Sequence, residues 1–235
     1  MKSSCDIIIS INVHHKPIFL FDQLNNIKAF VKLNYVVILN CNKYMYHELK
    51  NNYTLDSNII VNDTYIDKKR FHGTLMQGIV SNMMLALNNY NFKYFISMSL
   101  RCRFYKELNE NSDIISNTEF FDLKDKIYNK QIWHWPIFSR SKLYQDIMNQ
   151  NKYLCKSPHE GLCFNEKCCI FLVSFLKENL IIATDILNFN WCVEEFALQT
   201  ICANYNEFYY LGNGTVTKNI SDCSQNRFIH KIVDM

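Results

Sequence analysis

Two adjacent carboxylates are the clearest candidates for proton transfer in this sequence. Glu194 and Glu195 follow Trp191 closely and directly precede Phe196. A carboxylate held against aromatic side chains can have a raised pKa and act as a general base. The alternative is that the pair only favours the start of a helix, because acidic side chains interact well with the helix dipole.

A second acid–base pair, His159 and Glu160, stands in a loop bracketed by Pro158 and Gly161. It could exchange protons or bind an acceptor molecule. It is not the helical metalloprotease motif, because no second histidine follows at the required spacing. A zinc site around His159 is disfavoured, because no Cys-X-X-Cys pair is present. The favoured interpretation is that the cysteines are reduced thiols packed as small apolar side chains. The cysteines concerned are Cys155, Cys163, Cys168 and Cys169.

Polar side chains end two predicted strands near the start of the chain. Asn12, His14 and His15 end or follow the apolar run at residues 6–12, and Asn40 follows the next one. Ligands of open α/β sheets bind outside the carboxyl ends of the strands, so these side chains could hold a base and a ribose. The alternative is that they are ordinary polar loop residues.

A later strand end carries hydroxyl and guanidinium groups. Ser97, Ser99, Arg101 and Arg103 sit where the strand-like run Tyr94-Phe95-Ile96 ends, so they are further candidate ligand contacts. Basic residues near the end of the sequence could bind a diphosphate, although a solvated tail is the simpler interpretation. These residues are Lys218, Arg227, His230 and Lys231.

Strands alternate with helices over the first half, which predicts a doubly wound, mostly parallel sheet flanked by helices. Strands are predicted at 6–12, 35–39, 58–61 and 94–96, and helices at 18–31, 43–51 and 75–87. The second half is less regular. It predicts strands at 132–138, 180–182 and 209–211, and helices at 139–149 (capped by Ser139), 163–178 and 193–203.

The absence of a linker, a charge block and an internal repeat favours one globular α/β domain over residues 1–235. The alternation of strands and helices predicts a nucleotide-binding half over 1–104, which leaves 105–235 as the acceptor-binding half. The chain has 49% hydrophobic residues and a net charge of +3 without a basic stripe, so we expect no nucleic-acid partner. Asp6 interrupts the short apolar run at the N-terminus, and no segment has the length of a membrane span. We therefore expect a soluble, cytoplasmic protein.

In this order, the pieces resemble the core-2/I-branching family of β-N-acetylglucosaminyltransferases and its xylosyltransferase relatives. The resemblance runs over roughly residues 6–212, and its motifs are degenerate. Residues 97–104 resemble the family's Ser-Gly-X-Asp-X-Pro loop without its Asp, and Asn40 stands where an Asp is usual. Residues 135–140 resemble Trp-X-X-Leu-Ser-Arg, and residues 193–201 resemble Pro-Asp-Glu-X-X-X-X-Thr-Leu.

The resemblance implies a GT-A-like (Rossmann-like) fold and inverting transfer of a sugar from a nucleotide sugar to a glycan or other hydroxyl acceptor, with a UDP-sugar as the expected donor. It implies no metal and no other cofactor, and it makes Glu195 the catalytic base, with Glu160 in reserve. Nucleotide contacts would come from Asn12, His14, His15, Asn40, Ser97, Ser99 and Arg101, and diphosphate contacts from Arg103, Lys218, Arg227 and Lys231. Acceptor contacts would come from His72, Trp133, Trp135, His159 and Glu194.

Three other functions stay open at this point. A non-catalytic protein that binds nucleotide sugars or glycans fits the lost loop Asp. A nucleotidyltransferase or another Rossmann-like enzyme would normally show a glycine-rich phosphate loop after the first strand, and residues 12–17 contain no glycine. A structural or interaction protein has no positive sign in the sequence.

Overall fold

Apolar β-branched runs form the strands of this protein. The structure, a computed structural model, describes residues 2–13, 17–110, 112, 135–152, 159–205, 211–213, 215–216 and 229–231. The strands are β1 Ser3–Ser4, β2 Ile7–Val13, β3 Tyr35–Cys41, β4 Ile59–Val61, β5 Tyr90–Asn91, β6 Tyr94–Ser99, β7 Cys102–Phe104, β8 Leu162–Asn165, β9 Leu211–Asn213, β10 Thr215–Val216 and β11 Ile229–Lys231.

Helices directly follow strands β2, β3, β4 and β8. They are α1 Pro17–Phe30, α2 Lys43–Asn52, α3 Thr74–Asn89, α4 Trp135–Phe138, α5 Lys142–Asn149, α6 Glu166–Glu178, α7 Leu180–Leu187 and α8 Ala197–Tyr205. One turn of 3-10 helix, Val193–Glu195, precedes α8. The helices and strands predicted for the first half are confirmed, with ends that differ by one or two residues in most cases.

The main sheet has six strands in the order β4-β3-β2-β6-β8-β9. The first four run parallel, and β8 and β9 are added antiparallel, so the sheet is mixed but mostly parallel. Every residue of β2 is buried, because helices cover both faces of the sheet. The α/β class with a mostly parallel sheet flanked by helices is therefore confirmed.

Alternate residues of the central strands enter two separate cores. Ile8 and Phe95 pack towards α3 and the helices of the second half. Ile7 and Ile9 face the opposite way, towards the core that contains residues of α1 and α2. A side chain of this size contributes about 1.5–3 kcal/mol when fully buried. The two cores therefore hold the central strands, and with them the carboxyl edge of the sheet, in a fixed position.

Two strands predicted for the second half are wrong. Residues 180–182 begin helix α7, where Leu180 and Ile181 are exposed while Ala183 and Ile186 are buried at helical spacing. The strand predicted at 132–138 is a helix at Trp135–Phe138, and residues 132–134 lie outside the described residues. Proline fits the first turn of a helix, whereas in a strand it would remove a ladder hydrogen bond.

Three helix starts in the second half also differ from prediction. The helix predicted from 193 begins at Ala197, after the 3-10 turn, and two others begin later because of side-chain caps. The helix predicted from 163 begins at Glu166, because residues 163–165 pair with β6, and Asn165 Oδ1 then accepts a bond of 2.8 Å from the Cys168 amide. Ser141 rather than Ser139 caps α5, with its hydroxyl accepting from the Tyr144 amide at 3.1 Å. In both cases the side-chain cap satisfies a backbone donor of the first helical turn.

Candidate functional site

The polar ends of three strands meet at the carboxyl edge of the sheet, as predicted. Asn12 of β2 lies opposite Asn40 of β3 on one side and opposite Ser99 of β6 on the other. His14 and His15 lie outside the described residues. This edge is the place where open α/β sheets bind ligands.

Asn40 is fully buried and organises the loop beside it. Its side-chain amide donates to the Thr64 carbonyl at 2.8 Å. Lys68 Nζ donates to the Asn40 side-chain oxygen at 2.7 Å, to the Asn40 carbonyl at 2.9 Å and to the Ile66 carbonyl at 3.2 Å. The predicted role of Asn40 in nucleotide binding therefore becomes indirect, since its side chain shapes the edge from inside the protein.

Lys68 is a residue of this edge that sequence reasoning missed. Burial lowers the pKa of its ammonium to about 8, against the opposite effect of Cys41 and Asp67. In the sequence Lys68 is one of three consecutive basic residues, a pattern typical of a solvated surface. No local signal distinguishes it from Lys69, because its burial depends on how the loop folds back onto β3.

Asn12 is held close to helix α3. Its side-chain amide donates to the Leu75 carbonyl at 2.9 Å. A β-carbon added to Gly78 would collide with Asn12 Oδ1 and lie 3.0 Å from Lys68 Cε. Gly78 therefore permits the close approach of α3 to both polar side chains.

The predicted contacts on β6 differ in accessibility. Ser97 is buried, and its carbonyl accepts from the Gly161 amide at 2.6 Å. Ser99 is partly exposed, and its hydroxyl accepts from the amide of exposed Arg101 at 3.3 Å. Ser99 and Arg101 are therefore accessible to a ligand, whereas Ser97 is buried within the sheet.

Arg103 is largely engaged with the backbone. Its guanidinium donates to the Leu100 and Cys102 carbonyls at 2.7 and 2.9 Å and to the Phe19 carbonyl at 3.4 Å. Burial lowers its pKa from the ordinary arginine value. Lys231 lies opposite Cys102 in the β7–β11 pair, so these two predicted diphosphate contacts are on neighbouring strands. Lys218 and Arg227 lie outside the described residues.

The two acid–base pairs, far apart in the sequence, come together in the structure. The turn His159–Gly161 is tied to β6 by the Gly161 amide, and Gly161 has a φ of 78°, which favours glycine. His159 Nδ1 lies 3.5 Å from Glu160 Oε2. The charges of His159, Glu160 and Glu195 all influence Glu194. We call these four residues the acidic cluster.

Glu194 is the buried member of the adjacent carboxylate pair. Its exposed fraction is 3%, and its Oε2 atom is buried without a hydrogen bond to any residue that the structure describes. Burial raises the pKa of Glu194 to about 7, His159 lowers it, and Glu195 and Glu160 raise it further. A carboxyl group with this pKa is near half protonation at neutral pH.

Glu195 is only partly buried and ends the 3-10 turn, where its amide donates to the Cys192 carbonyl at 3.2 Å. The next residue, Phe196, is 1% exposed and stacks on Phe138, with ring centroids 4.6 Å apart and planes inclined by 15°. The stack anchors the 3-10 turn in the core, so the position of the Glu195 backbone is fixed.

Of the other predicted acceptor contacts, His72 lies just before helix α3. Its Nδ1 accepts from the Thr74 amide at 3.1 Å, and burial, followed by the charge of Lys69, lowers its pKa. His72 is therefore neutral at physiological pH. Trp135 is the first residue of α4, and Trp133 lies outside the described residues.

Within the part of the chain that the structure describes, no group of three or more His, Cys, Asp or Glu side chains is arranged to hold a metal ion. Cys163, Cys168 and Cys169, considered above for zinc, are buried reduced thiols. Among the described helices, none has both the length and the apolar character that a membrane crossing requires. Cys155 lies outside the described residues.

No protein-family model matches this chain, and no curated protein matches its sequence.

Proposed function

We propose that the protein transfers a sugar from a nucleotide sugar, most simply a UDP-sugar, to a hydroxyl acceptor, on a GT-A-like arrangement of the α/β fold. The observation that carries this proposal is the acidic cluster. It combines a half-buried carboxylate, Glu195, with a buried carboxyl group, Glu194, at the preceding position. The Gly161 amide ties the cluster to β6. The carboxyl end of β6 lies at the same edge of the sheet as the other polar strand ends.

The proposed reaction needs one base and one leaving group on opposite faces of the sugar. Glu195 takes the proton from the acceptor hydroxyl, and the acceptor oxygen forms a bond to the anomeric carbon. The bond from that carbon to the diphosphate oxygen breaks, and its electron pair leaves with the nucleoside diphosphate. The transferred sugar is therefore inverted at the anomeric carbon.

The division of roles within the carboxylate pair follows from burial. Two adjacent carboxylates resist simultaneous ionisation, and burial makes Glu194 the member that holds a proton more readily. We assign the base to Glu195, the more exposed member of the pair. Neighbouring titratable groups in different environments are the arrangement that separates acid and base roles in known active sites.

A panel of nucleotide sugars tests this proposal on the full chain. We expect one UDP-sugar to raise the melting temperature, and we expect release of the nucleoside diphosphate to accelerate when a hydroxyl acceptor is added. If calorimetry detects no binding of any nucleoside diphosphate or nucleotide sugar at millimolar concentration, the proposal is wrong.

A second candidate function is binding of a nucleotide sugar or glycan without catalysis. It is favoured by residues 97–104, which contain no carboxylate, and by the Asn40 side chain, which is fully engaged with Thr64 and Lys68. The same panel separates the two functions, because a binding protein would show thermal stabilisation with no release of diphosphate and no transferred product.

A further inference from the structure

The segment Arg70–Gly73, between β4 and α3, is docked tightly against the chain that leads to the acidic cluster. The Gly73 amide donates to the Phe189 carbonyl at 2.8 Å. A β-carbon on Gly73 would collide with the Ile186 carbonyl oxygen and crowd the Leu187 carbonyl. Only glycine allows this approach, so the segment has a fixed position relative to residues 186–191.

Phe71 holds an unusual backbone conformation in this segment. Its φ is 55°, in the left-handed region that bulky side chains rarely adopt. Its ring stacks on Trp191, with centroids 5.6 Å apart and planes inclined by 28°. Residues held in such conformations cluster at ligand-binding and catalytic sites, where the surrounding structure maintains the strain.

Arg70 is placed by this stack. Its guanidinium carbon lies 4.5 Å from the centre of the Phe71 ring, on an exposed side chain. Among the described residues, its guanidinium has no hydrogen-bond acceptor and no carboxylate partner. A guanidinium that lies over an aromatic ring keeps its N–H groups pointing outward in its own plane, where they can bind the oxygens of an anion in pairs.

The charge of Arg70 influences the thiol of Cys192, which lies just before the acidic residues Glu194 and Glu195 in the sequence. The Cys192 thiol has its pKa raised to about 12, chiefly by burial and then by Glu194 and Glu195, and Arg70 acts in the opposite direction. Arg70 is therefore near enough to the two carboxylates for all three charges to influence one thiol. The Phe71–Trp191 stack places Arg70 beside the chain that leads into the acidic cluster.

Lys68 adds a second positive charge to the same stretch of chain. Its three N–H groups are all used by oxygens of Asn40 and Ile66, and it forms no salt bridge with any residue that the structure describes. Because Lys68 cannot turn towards a ligand, it contributes a fixed charge. Arg70 can form direct bonds.

We propose that Arg70 is the anion-binding side chain of this site, with Lys68 as a buried supporting charge, and that its ligand is a diphosphate group. The predicted cation Arg103 is engaged with three carbonyls, whereas Arg70 is preorganised and available. The identification of that group as the diphosphate of a nucleotide rests on the proposed function. The binding of an anion by Arg70 rests on the stack and on the exposed guanidinium.

Titration calorimetry with inorganic diphosphate tests this inference on the full chain. We expect Arg70→Gln to weaken diphosphate binding at least tenfold, with an unchanged melting temperature. Arg70→Lys should recover little of it, because lysine lacks the planar fork. The control Lys32→Gln removes an equal charge from the exposed residue just after α1, at the opposite end of the strands, and should change binding less than twofold.

Uridine and UDP, titrated in parallel, separate this inference from the proposed function. If Arg70→Gln loses affinity for UDP and diphosphate but not for uridine, both the inference and the proposed function hold. If diphosphate binding depends on Arg70, uridine does not bind, and UDP binds no more tightly than diphosphate, the inference holds and the nucleotide-sugar function is rejected. No diphosphate binding to the unmodified chain, or equal binding by Arg70→Gln, overturns the inference.

Discussion

At the scale of single residues, the carboxyl edge of the sheet depends on side chains that lie in environments unusual for their residue type. Glu194 carries a buried carboxyl group, Lys68 a buried ammonium, and Asn12 approaches a helix at Gly78. Ionisable groups of this kind cost folding free energy, and they are most common at functional sites. Their contribution to the free energy of unfolding can be measured.

Glu194 should make stability fall as the pH rises from about 4.5 to 7. Because its folded pKa is about 7 and its ordinary value is 4.5, the folded protein keeps a proton that the unfolded chain releases in this window. A difference of this size corresponds to about 3 kcal/mol. Urea unfolding of Glu194→Gln at pH 5 and pH 8 should therefore show the variant gaining stability relative to the unmodified protein at pH 8. An equal difference at both pH values would contradict the assignment.

Gly78→Ala should destabilise the protein even though alanine favours helices. The helix propensity gain is about 1 kcal/mol. The added β-carbon collides with Asn12 Oδ1, and Asn12 cannot move away freely because it is buried and bonded to Leu75. Overpacking of this kind costs about 1–3 kcal/mol, so we expect a net loss. Asn88→Ala, at an exposed position of the same helix, is the control and should be neutral or stabilising.

At the scale of elements, α3 joins the sheet through a buried polar contact. Asn82 donates to the Ser10 hydroxyl at 3.0 Å and to the Ile38 carbonyl at 2.9 Å, and its oxygen accepts from Asn62 at 2.9 Å. The contact links α3 to β2, β3 and the loop after β4. It fixes the helix whose N-terminal end borders the candidate site.

Asn82→Leu keeps the size of the side chain and leaves these partners unsatisfied inside the protein. Each buried polar group without a partner costs about 1–3 kcal/mol, so we expect a loss of about 3 kcal/mol or more in urea unfolding. Asn88→Leu makes the same chemical change at an exposed position of α3 and should cost far less. Equal effects of the two substitutions would show that the buried contacts do not stabilise the fold.

The elements of the first half could be predicted because their sequence signals are local. The continuous apolar run of β2 and the helical spacing of α3 indicate their structures without reference to the rest of the chain. Residues 180–182 could not be assigned in this way, since a short apolar run fits a strand or a helix equally well. Packing of Ala183 and Ile186 against other helices selected the helix.

The site was predictable in part for the same reason. Asn12 and Asn40 end adjacent strands, and the order of strands and helices was enough to bring them together. The approach of His159 and Glu160 to Glu194, and the stack of Arg70, Phe71 and Trp191, depend on contacts between distant segments. A single sequence carries no local signal for such contacts.

At the scale of the whole molecule, one mixed sheet brings both parts of the sequence to one edge. Strands β2, β3 and β6 supply the polar strand ends, and β8 follows the turn that carries His159 and Glu160. The arrangement agrees with a donor held at the strand ends and an acceptor held at the acidic cluster. It accounts for the pairing of a nucleotide-binding half with an acceptor-binding half in the proposed function.

Transfer should not need a divalent metal. The sequence has no Asp-X-Asp after its fourth predicted strand, and Arg70, Lys68 and Arg101 are available to supply positive charge to a leaving diphosphate. We expect the rate of transfer to be the same in EDTA as in buffer with manganese. Complete loss of transfer in EDTA that manganese restores would contradict this expectation.

The central claim is that Glu195 is the general base, and its direct test compares transfer rate with donor binding in Glu195→Gln. The substitution keeps the size of the side chain and removes its basicity, so transfer should fall by about two to four orders of magnitude while donor affinity is retained. Glu178→Gln, at the exposed end of α6, should retain normal transfer. Near-normal transfer by Glu195→Gln, together with loss of transfer in Glu160→Gln, would contradict the account and assign the base to the loop before β8.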